Sequence, residues 1–356
     1  MKAIVRPRVF SAEKSLLQDV VPLDTPYSAH IDIASLCNFR CTFCFQSDKQ
    51  ALKEKGVKQG FMDINLFKKI VDDLKLFPRK LKKVKIGNHG EPTLHKKLPE
   101  MVAYLRDADV AETIELFTNG ALLKPSLNLA LVEAGLQRMN ISVEGMTSEV
   151  YQKTAGVSIN MDEFVNNIRH LYENKKQLVL YVKIVDTYMN EQDREEFYKR
   201  YGDIADEVFI ERVVPQWPEH SKFEVDDMGM YRQKSKKKKD VCPFPFMYLH
   251  FNSDGSVAGC TLDWSREVLI GDANKETAFD IWNGERLKQL QVKMLQKQRD
   301  QIPICKDCSA PSVCCVEDLD DDAEKILEKI LAKPTTNNNV NSSINEEKPL
   351  NPAPTA

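Results

Sequence analysis

Apolar positions along the first 214 residues recur with two alternating periods. Short runs rich in Val, Ile and Leu, such as "AHIDIAS" (29–35), "LKKVKIG" (81–87) and "TIELFTNG" (113–120), read as strands. So do "RMNISVEG" (138–145), "QLVLYVKIV" (177–185) and "DEVFIERVV" (206–214). Between them lie segments with apolar residues at helical spacing: "DINLFKKIVDDLKLF", "LPEMVAYLRDAD", "SLNLALVEAG", "MDEFVNNIRHLYENK" and "EQDREEFYKRYG". Six strands alternating with helices predict an α/β fold with a parallel sheet and right-handed crossovers, curled into a barrel or part of one. In such folds the chemistry sits at the C-terminal ends of the strands.

The alternation stops near Val214. The next stretch, "PQWPEHSKFEVDDMGMYRQKSKKKKD", has prolines and a lysine run but no period, and reads as a linker or solvated flap. From Cys242 the texture changes again. "FMYLHFNSDGSVAGCTLDW" predicts a hairpin with Asp254 and Gly255 at its tip, and "TAFDIWNGERLKQLQVKMLQKQ" a helix. The expected organisation is a leader (1–27), a barrel (28–212), a linker or flap (213–241), a small α+β domain (242–333) and an Asn/Pro/Ser-rich disordered tail (334–356).

Composition narrows the function classes. A formal net charge of -3, made of many charges of both signs, implies no nucleic-acid or anionic-membrane field. No run approaches the roughly 18 apolar residues of a spanning helix, and the N-terminus lacks a signal-like apolar stretch. The expected compartment is the cytosol, without a membrane partner. Thiols stay reduced there, so the nine cysteines read as metal ligands or reactive groups.

Three of them, Cys37, Cys41 and Cys44, lie in the loop that follows the first strand. Three thiolates are one short of a closed tetrahedral zinc site and one short of a fully ligated four-iron cluster. A cluster held by three leaves one iron free to chelate a small molecule. A zinc site completed by a distant residue is the other reading. The spacing Cys-x3-Cys-x2-Cys, with the aromatic Phe43 just before the last cysteine, resembles the signature loop of the radical S-adenosylmethionine (SAM) superfamily.

That resemblance implies a partial (β/α)6 barrel, a [4Fe–4S] cluster with an open iron site, and SAM chelated to that iron. In the family, an electron from the reduced cluster cleaves SAM to methionine and a 5'-deoxyadenosyl radical, which abstracts hydrogen from substrate. A flavodoxin- or ferredoxin-type protein is the implied electron donor. Further motifs match in order. "GNHGEP" (87–92) resembles the family's Gly-Gly-Glu-Pro turn and implicates Gly90 and Glu91, with His89 standing where the first glycine usually does. Asn119 lies in the "TNG" that ends the third strand, and Ser142 in "ISVEG" takes the place of a ribose-binding serine. Glu144 is a weaker ribose candidate, and Lys183 on the fifth strand is the candidate for the SAM carboxylate.

The late cysteines are Cys242, Cys260, Cys305, Cys308, Cys314 and Cys315. Taken alone, two separated cysteines plus a Cys-x2-Cys pair could close a zinc ribbon. Their spacing resembles the C-terminal extension called SPASM, or its shortened form, twitch. The implied ligands of one auxiliary [4Fe–4S] cluster are Cys242, Cys260, Cys305 and Cys308. A further family cysteine is replaced by Asp318, and the distal one is absent. That leaves Cys314 and Cys315 either as partial ligands of a second cluster or as the catalytic hydrogen donor of an epimerase.

The implied reaction is oxidation or epimerisation of a sugar- or aminocyclitol-like small molecule. A peptide or protein substrate is the alternative, and a non-catalytic iron–sulfur or zinc scaffold is the reading from another class.

Overall fold

All six expected strands form, and each is joined to the next by a helical crossover. The structure, a computed structural model, describes residues 1–9, 15–215, 217, 228–234 and 238–334. In chain order the strands are β1 (Ile4–Val5), β2 (Ser28–Ile31), β3 (Lys83–Ile86), β4 (Ile114–Thr118), β5 (Arg138–Val143), β6 (Val179–Val185) and β7 (Glu207–Glu211). The late segment adds β8 (Tyr248–Phe251), β9 (Ser256–Ala258) and β10 (Leu269–Asp272). They make one sheet in the order β1-β7-β6-β5-β4-β3-β2-β8-β9-β10. Pairing is parallel from β1 through β8, and antiparallel for the last two strands.

Alternation sorts the sheet into two unlike faces. Outward residues are apolar and fully buried: Ala29 and Ile31, Val84 and Ile86, Leu116, Met139 and Ile141, Leu180 and Val182, Val208. They pack against the crossover helices, and each buried Val, Ile or Leu contributes about 1.5–3 kcal/mol. Local signals start and stop those helices. Asp63 caps the helix Ile64–Asp73 by accepting from the backbone N–H of Asn65, and Asn190 with Asp193 forms a capping box on Glu191–Tyr201.

The inward face is polar. Its floor is a belt of ion pairs, Lys83 to Glu115 at 2.9 Å and Arg138 to Glu207 at 2.6 Å, closed by Arg6 on Glu207. Above that floor lie Lys85, Phe117, Asn140, Tyr181, Lys183 and Glu211. Ion pairs and polar contacts, rather than apolar burial, line this face.

Two expectations about domain organisation change. The N-terminal residues are not a separate leader: β1 pairs with β7, and Arg6 and Arg8 reach the inner face. The hairpin β8–β9 forms as expected, with Gly255 at a φ of +90°, but β8 also pairs in parallel with β2. The late segment therefore extends the barrel sheet and covers the β2 edge, whose backbone groups would otherwise lack partners. The helix Ala323–Ala332 follows, and beyond it Lys333 Nζ bonds Leu23 O at 3.2 Å, tying the end of the described chain to its beginning.

The flap reading is also revised at one residue. Lys239, the last of the lysine run, is buried, and its ammonium donates to the carbonyls of Cys315 (2.9 Å) and Glu317 (2.7 Å). Residues 235–237 of that run, and the expected disordered tail beyond 334, lie outside the described residues. No helix among the described residues is long and apolar enough to cross a membrane.

Candidate active site

Cys37, Cys41 and Cys44 sit where the fold predicts chemistry, in the loop leaving the C-terminal end of β2. The backbone of this loop is held on three sides. Arg40 and Thr42 donate to Ala155 and Thr154, both at 2.8 Å, at the end of the helix Ser148–Ala155. Glu91 N donates to Leu36 O at 2.8 Å, and Gln46 Nε2 donates to Ser35 O at 2.9 Å and to His89 O. Phe39 packs edge-on against Tyr151 beneath the loop. The helix Ser148–Ala155 has no counterpart in the sequence reading. Its signals, Thr147 as N-cap and Gly156 at a φ of +68° as terminator, are short-range and easily passed over.

The three partly buried thiols lie close enough to act on one another electrostatically. Burial pushes the Cys37 thiol up to about 11 and Cys44 up to about 12, and it drives Cys41 well above its ordinary value. Neighbouring thiols and Glu144 push the same way. Thiols raised in this way are protonated at neutral pH without a metal, and a metal cluster bound here would displace those protons.

The "GNHGEP" turn is pressed against this loop. A Cβ at Gly90 would collide with the carbonyl oxygens of Ala34 and Leu36, so only glycine permits the approach. Glu91 does not point a free carboxylate at a cofactor. It accepts from Thr93 N (2.9 Å), Thr93 Oγ1 (2.6 Å), Thr118 Oγ1 (2.7 Å) and Asn119 N (2.8 Å). Asn119 passes the connection on, its side-chain amide donating to Asn38 Oδ1 at 2.8 Å within the cysteine loop. These two residues build the site's frame.

Ser142 and Lys183 are register partners on β5 and β6, both on the inner face. Lys183 is not an exposed edge lysine: its ammonium bonds Glu211 at 2.7 Å. Arg8 meets the other oxygen of the same carboxylate at 2.9 Å. Burial tends to raise the Glu211 carboxyl, but Lys183 and Arg8 outweigh it and hold it below its ordinary value. Glu144 is the opposite case. Burial lifts its carboxyl to about 7 against the pull of Lys183, and its Oε2 has no hydrogen-bond partner among the described residues. Phe43, within the loop, is half-buried. An orphaned carboxyl oxygen, a lumen-facing hydroxyl and a backbone cradle that excludes Cβ fit a polar ligand with a diol, as SAM has.

The late cysteines converge as well. Burial is the largest influence on the Cys242, Cys260 and Cys305 thiols and raises all three, with Cys305 at about 12. Cys242, Cys305 and Cys308 are the next influences on Cys260, so these four sulfurs neighbour one another. Cys315 is buried beside Cys242. Cys314 instead borders Val214, Met230 and Tyr231, near Arg8 and the lumen.

Comparison with known proteins agrees with this geometry. Residues 31–201 match the radical SAM superfamily, and residues 242–309 match an iron–sulfur cluster-binding domain of the SPASM type. The second match takes in Cys242, Cys260, Cys305 and Cys308 and ends before Cys314. A tungsten-containing aldehyde ferredoxin oxidoreductase cofactor-modifying protein of Pyrococcus furiosus is 26% identical over 332 residues, covering 80% of this chain and 88% of its own. Among solved structures, BtrN in complex with AdoMet and 2-DOIA superposes with a TM-score of 0.55 at 17% identity, over 83% of this chain and 97% of its own. Streptococcus suis SuiB bound to precursor peptide SuiA superposes with a TM-score of 0.58 at 14% identity, over 76% and 67%. The chain belongs to the radical SAM superfamily, whose [4Fe–4S] cluster and S-adenosylmethionine it uses, and it carries a C-terminal iron–sulfur domain of the SPASM type.

Proposed function

We propose that this enzyme oxidises a hydroxyl-bearing, sugar- or aminocyclitol-like small molecule held in the barrel lumen, with an anionic substituent of that molecule against Lys85. Cys37, Cys41 and Cys44 would hold the catalytic cluster, and Cys242, Cys260, Cys305 and Cys308 the auxiliary one. Bound there, cluster and SAM supply a carbon radical that removes one hydrogen atom from the substrate. The chain's own residues do the rest. Ser142 and Glu144 take the ribose, Lys183 the methionine carboxylate, and the turn at Gly90 the amino group. The late cysteines would hold a second redox centre able to take the remaining electron of a two-electron oxidation, the hydroxyl proton of the substrate leaving to solvent.

The observation that carries the substrate reading is the inner face. Lys85 forms no ion pair among the described residues, while Glu115, the nearest acid, is engaged by Lys83. Burial lowers the Lys85 ammonium to about 7 against the pull of Glu115, its register partner on β4, and an anionic group placed beside it would favour the charged form. Arg8 and Lys85 both lie over the ring of Phe117, at 5.6 and 5.5 Å from its centroid, and Asn140 and Tyr181 add neutral polar groups.

The test uses anaerobically reconstituted enzyme with dithionite, SAM and a panel of phosphorylated sugars, sugar acids and aminocyclitols. The reading expects substrate-dependent 5'-deoxyadenosine together with a product lighter by two hydrogens. Stimulation by a peptide and by none of the small molecules would move the chain to the peptide-modifying class. A product of unchanged mass with solvent deuterium at one carbon would make it an epimerase and turn attention to Cys314, the leftover cysteine nearer the lumen.

A further inference from the structure

Behind the cysteine loop lies a second group of donor atoms that the chemistry above does not use. Asp32 follows β2, His89 sits in the turn after β3, and His250 lies on β8, so three adjacent strands each contribute one side chain. All three are buried, and His250 has no exposure at all. Asp32 Oδ2 stands 3.0 Å from His250 Nε2 and 3.3 Å from His89 Nδ1. The three donor atoms lie within 4.8 Å of one another.

The hydrogen bonds around this group leave a gap at its centre. His89 Nε2 is 2.6 Å from the carbonyl oxygen of Thr261, and a carbonyl only accepts, so that nitrogen carries the proton. In the neutral ring, His89 Nδ1 is then a bare lone pair facing a carboxylate oxygen, which is also an acceptor. Asp32 Oδ1 is satisfied by the His89 backbone N–H at 3.1 Å; among the described residues Oδ2 and the two His250 nitrogens have no well-aligned hydrogen bond, and the 3.0 Å approach of His250 Nε2 to Oδ2 is the closest contact either makes within the group. Two acceptors at 3.3 Å in a water-poor interior repel unless something positive lies between them.

We propose that Asp32, His89 and His250 bind one divalent first-row transition metal ion, zinc or ferrous iron, separate from the iron–sulfur clusters. The spacing suits it. Ligand bonds of about 2.1 Å place neighbouring donors roughly 3.0 Å apart at right angles and roughly 3.4 Å apart in a tetrahedron, which brackets both observed separations. Two imidazoles and a carboxylate are a donor set favoured by zinc and by non-haem ferrous iron. The Thr261 carbonyl does what outer partners of metal-bound histidines do, fixing tautomer and ring orientation from behind. A small cavity lined by Asp32, His89, Ser253, Trp264 and Arg266 among others adjoins the group on the Asp32 and His89 side. The ion would clamp β3, β2 and β8 together at the seam between the two cysteine sites, next to Cys260 through Thr261. This inference does not depend on the substrate reading.

A [4Fe–4S] cluster contains equal iron and sulfide, so metal in excess of sulfide reports a non-cluster site. Cluster-loaded holoprotein is given zinc sulfate under nitrogen, freed of loose metal on a chelating resin, and assayed for iron, zinc and acid-labile sulfide. Wild type should hold about one metal equivalent per chain above sulfide. The excess should fall below about 0.2 in His250→Ala and in Asp32→Asn, with the iron-to-sulfide ratio unchanged. Zinc and iron analyses say which ion it is. Wild-type metal equal to sulfide would overturn the proposal and leave a doubly protonated His89 paired with Asp32. A full equivalent retained in whichever variants fold would overturn it too, by placing the ion elsewhere.

Discussion

The Glu91 carboxylate and the Asn119 backbone N–H are joined at 2.8 Å, and that bond sets the distance between the turn after β3 and the turn after β4. Three more donors from Thr93 and Thr118 fill the same carboxylate. Glu91→Gln should therefore act on the frame. It places an amide N–H against at least one donor and should cost about 1–3 kcal/mol of stability. Glu91→Ala, which leaves four donors without their acceptor, should cost more. Urea midpoints of the anaerobic apoprotein check the order.

Gly90→Ala should act differently. Its methyl meets the Ala34 and Leu36 carbonyls, so the turn must move away from the cysteine loop. The expected result is a loss of about 1–3 kcal/mol in folding stability, as the backbone must shift, together with a tenfold or greater weakening of SAM binding, roughly 1.4 kcal/mol or more. Equilibrium dialysis with reconstituted protein measures it.

Glu144 gives a pH dependence with a definite sign. Burial raises its carboxyl to about 7, while in the unfolded chain it ionises near the ordinary glutamate value. Between those values the folded protein holds the proton and the unfolded chain does not, so stability falls as pH rises from about 4.5 to about 7. Glu144→Gln should flatten that part of the profile and make the apoprotein more stable than wild type at pH 8, by about 2–3 kcal/mol. Denaturation curves of both proteins at pH 5 and pH 8 give the comparison.

Lys85→Met removes the lumen cation without touching the cysteine loop or the SAM candidates. For a substrate with a phosphate or carboxylate, KM should rise about tenfold or more while kcat changes little, the pattern of lost uniform binding. For a neutral substrate both should stay within about twofold. Initial rates of 5'-deoxyadenosine formation across substrate concentrations distinguish the two.

The strand-and-helix alternation and both cysteine groups were legible in the sequence because each rests on local spacing: period two, helical period, or Cys-x-Cys intervals. Gly90 was legible for the same reason. What escaped was long-range. Arg8 and Glu211 meet from 203 positions apart, and no local pattern marks Ile4–Val5 as a strand until β7 offers its edge. Lys239 looked solvated because it ends a lysine run, yet its side chain turns inward to cap the Cys315 loop. His89 stood out in the sequence only as a departure from the glycine of its motif, since neither Asp32 nor His250 is near it in the chain. Glu91 was identified by position, but its side-chain role became clear only once β4 stood beside it.

The measurement closest to the centre of this account is SAM cleavage by the Cys37→Ala/Cys41→Ala/Cys44→Ala triple variant beside wild type, with iron counted in both. Three early thiolates holding the reactive cluster predict that wild type forms 5'-deoxyadenosine under dithionite. The variant should form none, yet keep about four irons per chain at the late cysteines. A variant that still cleaves SAM, or one that loses all of its iron while remaining folded, would contradict the assignment of two separate cysteine-bound centres.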